Sequence, residues 1–150
     1  MSHTYANLLY HVVFSTEGRT RRIDVDLAPR LHAYLGGIVG ELDGKALTVG
    51  GTADHIHMLI SLRPTVSVAD ALRVIKTNSS RWVHEQWPNR PAFGWQTGYA
   101  AFTVSQSALG AVRTYIARQE EHHRKMTFQE EFILLLKRHG VEYDERYVWG

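Results

Sequence analysis

Asp54-His55-Ile56-His57-Met58-Leu59-Ile60-Ser61-Leu62 is the stretch from which the rest of the chain can be placed. It reads as a β-strand, and successive side chains of a strand point to opposite faces of the sheet. His55 and His57 therefore share one face, while Ile56 and Met58 turn to the other, toward a core. Immediately upstream, Lys45 to Val49 reads as a neighbouring strand, separated from the first by Gly50-Gly51. Further back, Leu27, Leu31, Tyr34, Leu35 and Ile38 recur at spacings of three and four. That spacing predicts a helix closed by the Gly36, Gly37 and Gly40 region. Leu8-Leu9-Tyr10-His11-Val12-Val13-Phe14 is rich in β-formers and ends at Glu17-Gly18, a strand and a turn.

Downstream, Ser67 is a fitting cap for a helix whose inner face carries Val68, Leu72, Ile75, Trp82 and Val83, broken by Pro88 and Pro91. Tyr99 to Ser105 alternates, with Ala100, Phe102 and Val104 on one side, as a strand with one face in the core does. Ser107 opens a third helix with Leu109, Val112 and Ile116 along one side. Thr127-Phe128-Gln129-Glu130 is a capping box before a fourth, amphipathic helix carrying Phe128, Phe132, Leu135 and Leu136 and ended by Gly140. The order β-α-β-β-α-β-α predicts an α+β fold: a ferredoxin-like antiparallel sheet with helices on one face, then a further helix and a helical tail. Residues 1–150 read as one domain, with about 124–150 a helical C-terminal extension. The second face of such a sheet is expected to be open, for a ligand or a second subunit.

An apolar fraction of 44% in 150 residues supports a continuous core. The longest uncharged stretch, Pro91 to Val112, holds Gly, Gln, Thr and Ser throughout and is no membrane span. Met1-Ser2-His3-Thr4 has neither a basic start nor an apolar run, so the expected location is cytoplasmic. The absence of cysteine excludes disulfides, thiol catalysis and thiolate zinc sites, leaving His, carboxylate and amide groups as metal ligands. The net charge of +2 is unevenly spread: Arg63 to Arg90 carries 5 basic and 2 acidic residues, a mildly basic middle suited to a polyanion.

Two imidazoles on one strand face can share a cation, or can each be a buried histidine satisfied by hydrogen bonds. Tyr115 and Gln119 are four apart on the third predicted helix and so share a face. Each has an ordinary reading as well, Tyr115 as a core aromatic and Gln119 as a surface helix former. Together they suggest chemistry on a phosphodiester. A tyrosine hydroxyl can attack phosphorus and hold the product as a covalent ester, and a divalent cation polarises the phosphoryl oxygens. Such exchange needs no ATP, and there is no GxxxxGK[ST] loop.

The same residues resemble a known family. Tyr10-His11-Val12-Val13-Phe14-Ser15-Thr16, Asp54-His55-Ile56-His57, the run Gly94 to Ser105 and Tyr115-Ile116-x-x-Gln119 are similar to IS200/IS605-type single-tyrosine transposases, in the same order. The resemblance covers about Leu9 to Gln119. It implies that His55, His57 and Gln119 bind Mg²⁺ or Mn²⁺. It implies that Tyr115 attacks single-stranded DNA, forms a 5′-phosphotyrosine and frees a 3′-hydroxyl. It further implies a homodimer acting on hairpin DNA at element ends, with active sites that can be shared between subunits.

Other readings belong to other classes. One is a domesticated relative that processes chromosomal hairpins, another a non-catalytic nucleic-acid-binding module of the same fold, and a third a metal-dependent hydrolase of small phosphate esters. His11 reads as a structural histidine on a neighbouring strand. Asp54 is expected to point away from His55, in a turn or supporting role. His122 and His123 fit a helix C-terminus, where the dipole favours positive charge, or within reach of a metal. Arg73, Lys76 and Arg81 are candidates for phosphate contacts or a solvated helix face. Trp82, Trp87, Phe93 and Trp95 are candidates for base stacking, with core packing the commoner fate.

Overall fold

The computed structural model describes residues 3–149; Met1 and Ser2, part of the N-terminal reading above, and Gly150 lie outside the described residues. Four strands, β1 (Leu8–Ser15), β2 (Lys45–Thr52), β3 (His55–Leu62) and β4 (Ala100–Val104), form one antiparallel sheet in the order β2-β3-β1-β4. This is the ferredoxin-like order, with the two halves of the β-α-β repeat interleaved. Helix α1 (Leu27–Glu41) follows β1, and α2 (Val68–Gln86) connects β3 to β4. Both pack on one face, because Val12, Phe14, Ile56, Met58 and Ile60 point there and are buried against Leu31, Leu35, Leu72 and Ile75. The Ser67 side chain caps α2 by accepting from the Asp70 amide at 3.0 Å.

The second face departs from expectation, because it is not open. After β4 come α3 (Leu109–Ala117), a single turn α4 (Gln119–His122) and α5 (Phe128–Arg138). Phe128, Leu135 and Leu136 of α5 form a second apolar cluster with Val13, Ala100 and Phe102. The alternation in β4 thus buries Ala100 and Phe102 beneath α5 and not beneath α1 and α2. The C-terminal helix is an integral layer, since an uncovered Val13 and Phe102 would leave an apolar patch in water. Its start is fixed by the full capping box, with the Glu130 amide donating to Thr127 Oγ1 at 3.1 Å and the Thr127 amide to Glu130 Oε1 at 3.3 Å.

Two local expectations also change. Gly50 and Gly51 do not separate β2 from β3; both lie within β2, which runs on to Thr52, and the turn falls at Ala53-Asp54. The helix carrying Tyr115 stops before Gln119: Arg118 has φ −103° and ψ 23°, outside helical values, and α4 starts anew. The four aromatic candidates are packed into the main core. Trp95 lies edge-on to Phe14 and Phe93 and donates to Ser79 Oγ at 2.9 Å, and Trp82 stacks on Tyr34. Lys76 donates to the Gln96 and Gly98 carbonyls and holds that loop, while Arg81 pairs with Asn78. No helix among the described residues is long and apolar enough to cross a membrane.

Candidate active site

Strand register builds the floor of the site. Val13 pairs with His57 and Ser15 with His55 across β1 and β3, so His11, Val13, His55 and His57 share the face under α5. Both histidines are fully buried. The Asp54 carboxylate lies 2.8 Å from His55 Nδ1, so it reaches the ring instead of pointing away, with Thr52 Oγ1 close to both. A carboxylate only accepts, so a proton sits on Nδ1, and Nε2 is the nitrogen left to turn a lone pair inward to a cation. His57 Nδ1 lies 2.7 Å from His11 Nε2 and shares a proton with it. His11 is the partner that fixes the orientation of His57.

The wall is brought in by a close approach at β2. Gly50 pairs with His57, and a Cβ at Gly50 would lie 2.5 Å from the backbone oxygen of Ile116. Only a glycine lets the end of α3 settle this far onto the sheet. Ile116 is buried there, and its neighbour Tyr115 turns toward the histidines, with ring centroids 5.8 Å from His57 and 6.0 Å from His11. Gln119, from the next turn, is buried and places Oε1 2.9 Å from His55 Nε2. Tyr115 and Gln119 meet the same site although the helix between them is broken.

The centre of the arrangement is a residue the sequence reading did not select, Glu131 of α5. It is 1% exposed. Its Oε1 lies 3.0 Å from both His57 Nε2 and His123 Nε2 and 3.5 Å from His55 Nε2. Its Oε2 accepts from Gln119 Nε2 at 2.9 Å and from the Tyr115 hydroxyl. The available signal is that Glu131 stands three after Phe128 and four before Leu135, an acid within the apolar stripe of an amphipathic helix. His122 and His123 do more than decorate a helix end: His122 Nε2 lies 3.4 Å from Glu131 Oε2, and His123 binds the Met126 carbonyl through Nδ1. Arg138 and Arg118 line the two clefts that flank Tyr115, of about 490 and 560 Å³.

Comparison with known proteins puts this geometry in context. The profile of the family described as "Transposase IS200 like" matches residues 4–119. The chain belongs to the IS200-like transposase family. It is 27% identical over 129 residues to the IS200 transposase of Salmonella typhimurium, an alignment covering 83% of this chain and 84% of that one. It is 24% identical over 119 residues to the ISDra2 transposase of Deinococcus radiodurans, covering 76% and 85%. Among solved structures, a REP-associated tyrosine transposase bound to a REP hairpin superposes with a TM-score of 0.61 at 11% identity, over 82% of this chain and 73% of that one. A Deinococcus radiodurans R1 structure assigned to transposases superposes with a TM-score of 0.65 at 22% identity, covering 79% and 96%. At these identities the two structures support the fold.

The electrostatics of the transposase site follow from its burial. Burial holds His57 down at about 4 and His11 at about 3, so both rings stay neutral near pH 7. Burial alone raises the Glu131 pKa, but hydrogen bonds from His123 and His57 outweigh it and keep the carboxyl well below the usual range. Burial first, then the hydrogen bond to the Glu131 carboxylate, pushes the Tyr115 hydroxyl well above its usual value, so the phenol is neutral as it stands. The donor set suits a cation, because Nε2 of His55 and Oε1 of Gln119 are two acceptors facing each other at 2.9 Å once Nδ1 carries the ring proton.

Proposed function

We propose that this transposase cleaves and rejoins single-stranded DNA at hairpin-bearing ends through a covalent bond to Tyr115. The single observation that carries the reading is the convergence of the Tyr115 hydroxyl, the His55–His57 pair and Gln119 on one buried point from three separate elements. His55, His57 and Gln119 would hold a divalent cation, Mg²⁺ or Mn²⁺. When bound, the cation polarises the phosphoryl oxygens and lowers the charge barrier to attack.

The chain's own groups do the rest. The Tyr115 Oη forms a bond to phosphorus while the phosphorus–O3′ bond breaks, leaving a 5′-phosphotyrosine and a 3′-hydroxyl. Over the step the phenolic proton passes to the 3′-oxygen, so atoms and charge balance. The ester retains the energy of the bond it replaced, and attack by a 3′-hydroxyl reverses the step with release of the tyrosine. Burial and the neutral phenol keep the resting enzyme from attacking without a positioned phosphate. Arg118 and Arg138 beside Tyr115 supply cationic contacts for the backbone on either side.

A DNA strand as substrate is in keeping with action in the cytoplasm, and the pairing of two hairpin-bearing ends in one reaction favours a homodimer. The decisive experiment is incubation with a labelled single-stranded hairpin in Mg²⁺. A denaturation-resistant protein–DNA adduct through Tyr115 is the expected result. Cleavage without any adduct would instead indicate hydrolysis by water.

A further inference from the structure

Five atoms able to ligate a metal, one from each of five residues, crowd one point of the site. His55 Nε2 lies 2.9 Å from Gln119 Oε1, which lies 3.0 Å from His123 Nε2. His123 Nε2 lies 3.0 Å from Glu131 Oε1, which lies 3.0 Å from His57 Nε2 and 3.5 Å from His55 Nε2. The other end of each donor is already committed. His123 Nδ1 faces the Met126 carbonyl at 2.6 Å, His55 Nδ1 faces Asp54, and the Gln119 amide nitrogen donates to Glu131 Oε2. In the metal-free protein, protons on His57 and His123 Nε2 bridge to Glu131 Oε1. Once a cation displaces them, all five atoms turn lone pairs inward, and lone pairs about 3 Å apart need that positive charge among them. Ligands about 2.1 Å from an octahedral ion stand about 3.0 Å from their neighbours. Four of the five spacings found here match that edge length. His55, His57 and Glu131 are all buried and offer three ligand atoms within 4.8 Å of one another.

On the reading that His55, His57 and Gln119 bind a divalent cation, we infer that Glu131 and His123 are ligands of the same ion. The C-terminal helix then completes the metal centre instead of lying beside it. The Glu131 carboxylate bridges two tasks: Oε1 faces the ion and Oε2 holds the Tyr115 hydroxyl, so the nucleophile and the cation are tied through one side chain. An anionic ligand also distinguishes the site chemically. Two imidazoles and an amide are a neutral set, whereas adding a carboxylate increases the affinity for hard ions such as Mn²⁺.

The test titrates Mn²⁺ alone into the full-length protein, following free Mn²⁺ by electron paramagnetic resonance, with no DNA present. Variants are Glu131→Gln, His123→Gln and His57→Ala, each checked for folding by circular dichroism. Glu131→Gln keeps the side-chain volume, and His123 sits nearer the surface, so His123→Gln decides the matter if the buried variant does not fold. We expect both to weaken Mn²⁺ binding about 10–100-fold, as loss of supporting or direct ligands does. Unchanged affinity in both, with loss in His57→Ala, overturns the inference and leaves the two-histidine site intact. Unchanged affinity in all three overturns the metal site itself. Tighter Mn²⁺ binding by Glu131→Gln also overturns the inference, because the carboxylate would then be a plug displaced by the ion.

Discussion

On the face covered by α1 and α2, β1 and β3 present Val12, Phe14, Ile56, Met58 and Ile60; one residue along each strand, the face under α5 presents His11, Val13, His55 and His57. The same two strands thus serve both layers, since the pleat alternates side chains between them. The first face is closed by aliphatic packing and needs no partner chemistry. The second buries polar side chains, among them His11, His55, His57, Gln119 and Glu131, that lie within hydrogen-bonding distance of one another. Leaving any one unpaired costs about 1–3 kcal/mol. Stability is concentrated on one side of the sheet and chemistry on the other, and the two should respond differently to mutation.

The largest contrast is expected at Tyr115. Tyr115→Phe removes one hydroxyl, so cleavage and covalent adduct should vanish in a hairpin-nicking assay while the melting temperature moves little. Residual cleavage at the wild-type rate would show that the tyrosine is part of the packing and not of the reaction. Because the tyrosine and the histidine pair meet within one chain here, mixing Tyr115→Phe with His57→Ala under demonstrated subunit exchange should restore nothing. Recovery to roughly a quarter of wild type, the share that random pairing of subunits gives, would mean that the tyrosine helix crosses to a partner.

Next is Gly50→Val, which puts a branched side chain against the Ile116 backbone. We expect at least a hundredfold loss of cleavage, in line with the cost of misplacing a reacting group by about 1 Å. Normal activity would show that α3 can shift without consequence. Leu72→Ala, on the first face, should do the opposite. A buried leucine truncation costs about 2–5 kcal/mol of unfolding free energy. Denaturant titration should record that loss, while Mn²⁺ affinity at low temperature stays within a factor of a few of wild type.

The smallest effect concerns acid. In metal-free protein, burial lowers His57 to about 4 and His11 to about 3, against an ordinary 6.5. The unfolded chain therefore binds more protons than the native one below pH 6.5. The stability these rings contribute is full above pH 6.5 and falls as pH drops toward 4 and then 3. His123, shifted upward because its bond to Glu131 outweighs its burial, works in the opposite sense and softens the slope. Melting temperature should fall between pH 7 and pH 5, and less steeply in His11→Asn. An equal slope in that variant would remove His11 from the account.

These contrasts also explain what could be read beforehand. The apolar face follows from period: Leu27, Leu31 and Leu35, or Leu72 and Ile75, announce their helices, and the alternation from Ile56 to Ile60 announces the strand. The His pair, Tyr115 and Gln119 stood out as residue types whose chemistry combines. Glu131 did not, because an acid next to a capping glutamate looks like surface, and its partners lie 74, 16 and 12 positions away. The break at Arg118 was hidden for a similar reason, since Ala117-Arg118-Gln119 contains no residue that opposes a helix. The closed second face was missed by treating the last helix as an appendage, although its apolar stripe required a surface to cover.

The capping box at the start of α5 has a consequence for how the chain can change over time. Thr127 and Glu130 fix the rotational phase of the helix, and that phase sends Glu130 outward to the cap and its immediate neighbour Glu131 inward. The stretch from Arg124 to Met126 is therefore a measured spacer: substitutions in it leave the phase alone, whereas inserting or deleting one residue would turn the helix by about 100° relative to its anchor. Length, more than composition, should be the inherited property of that segment, and a comparison of related chains should find its residues varied and its gaps absent.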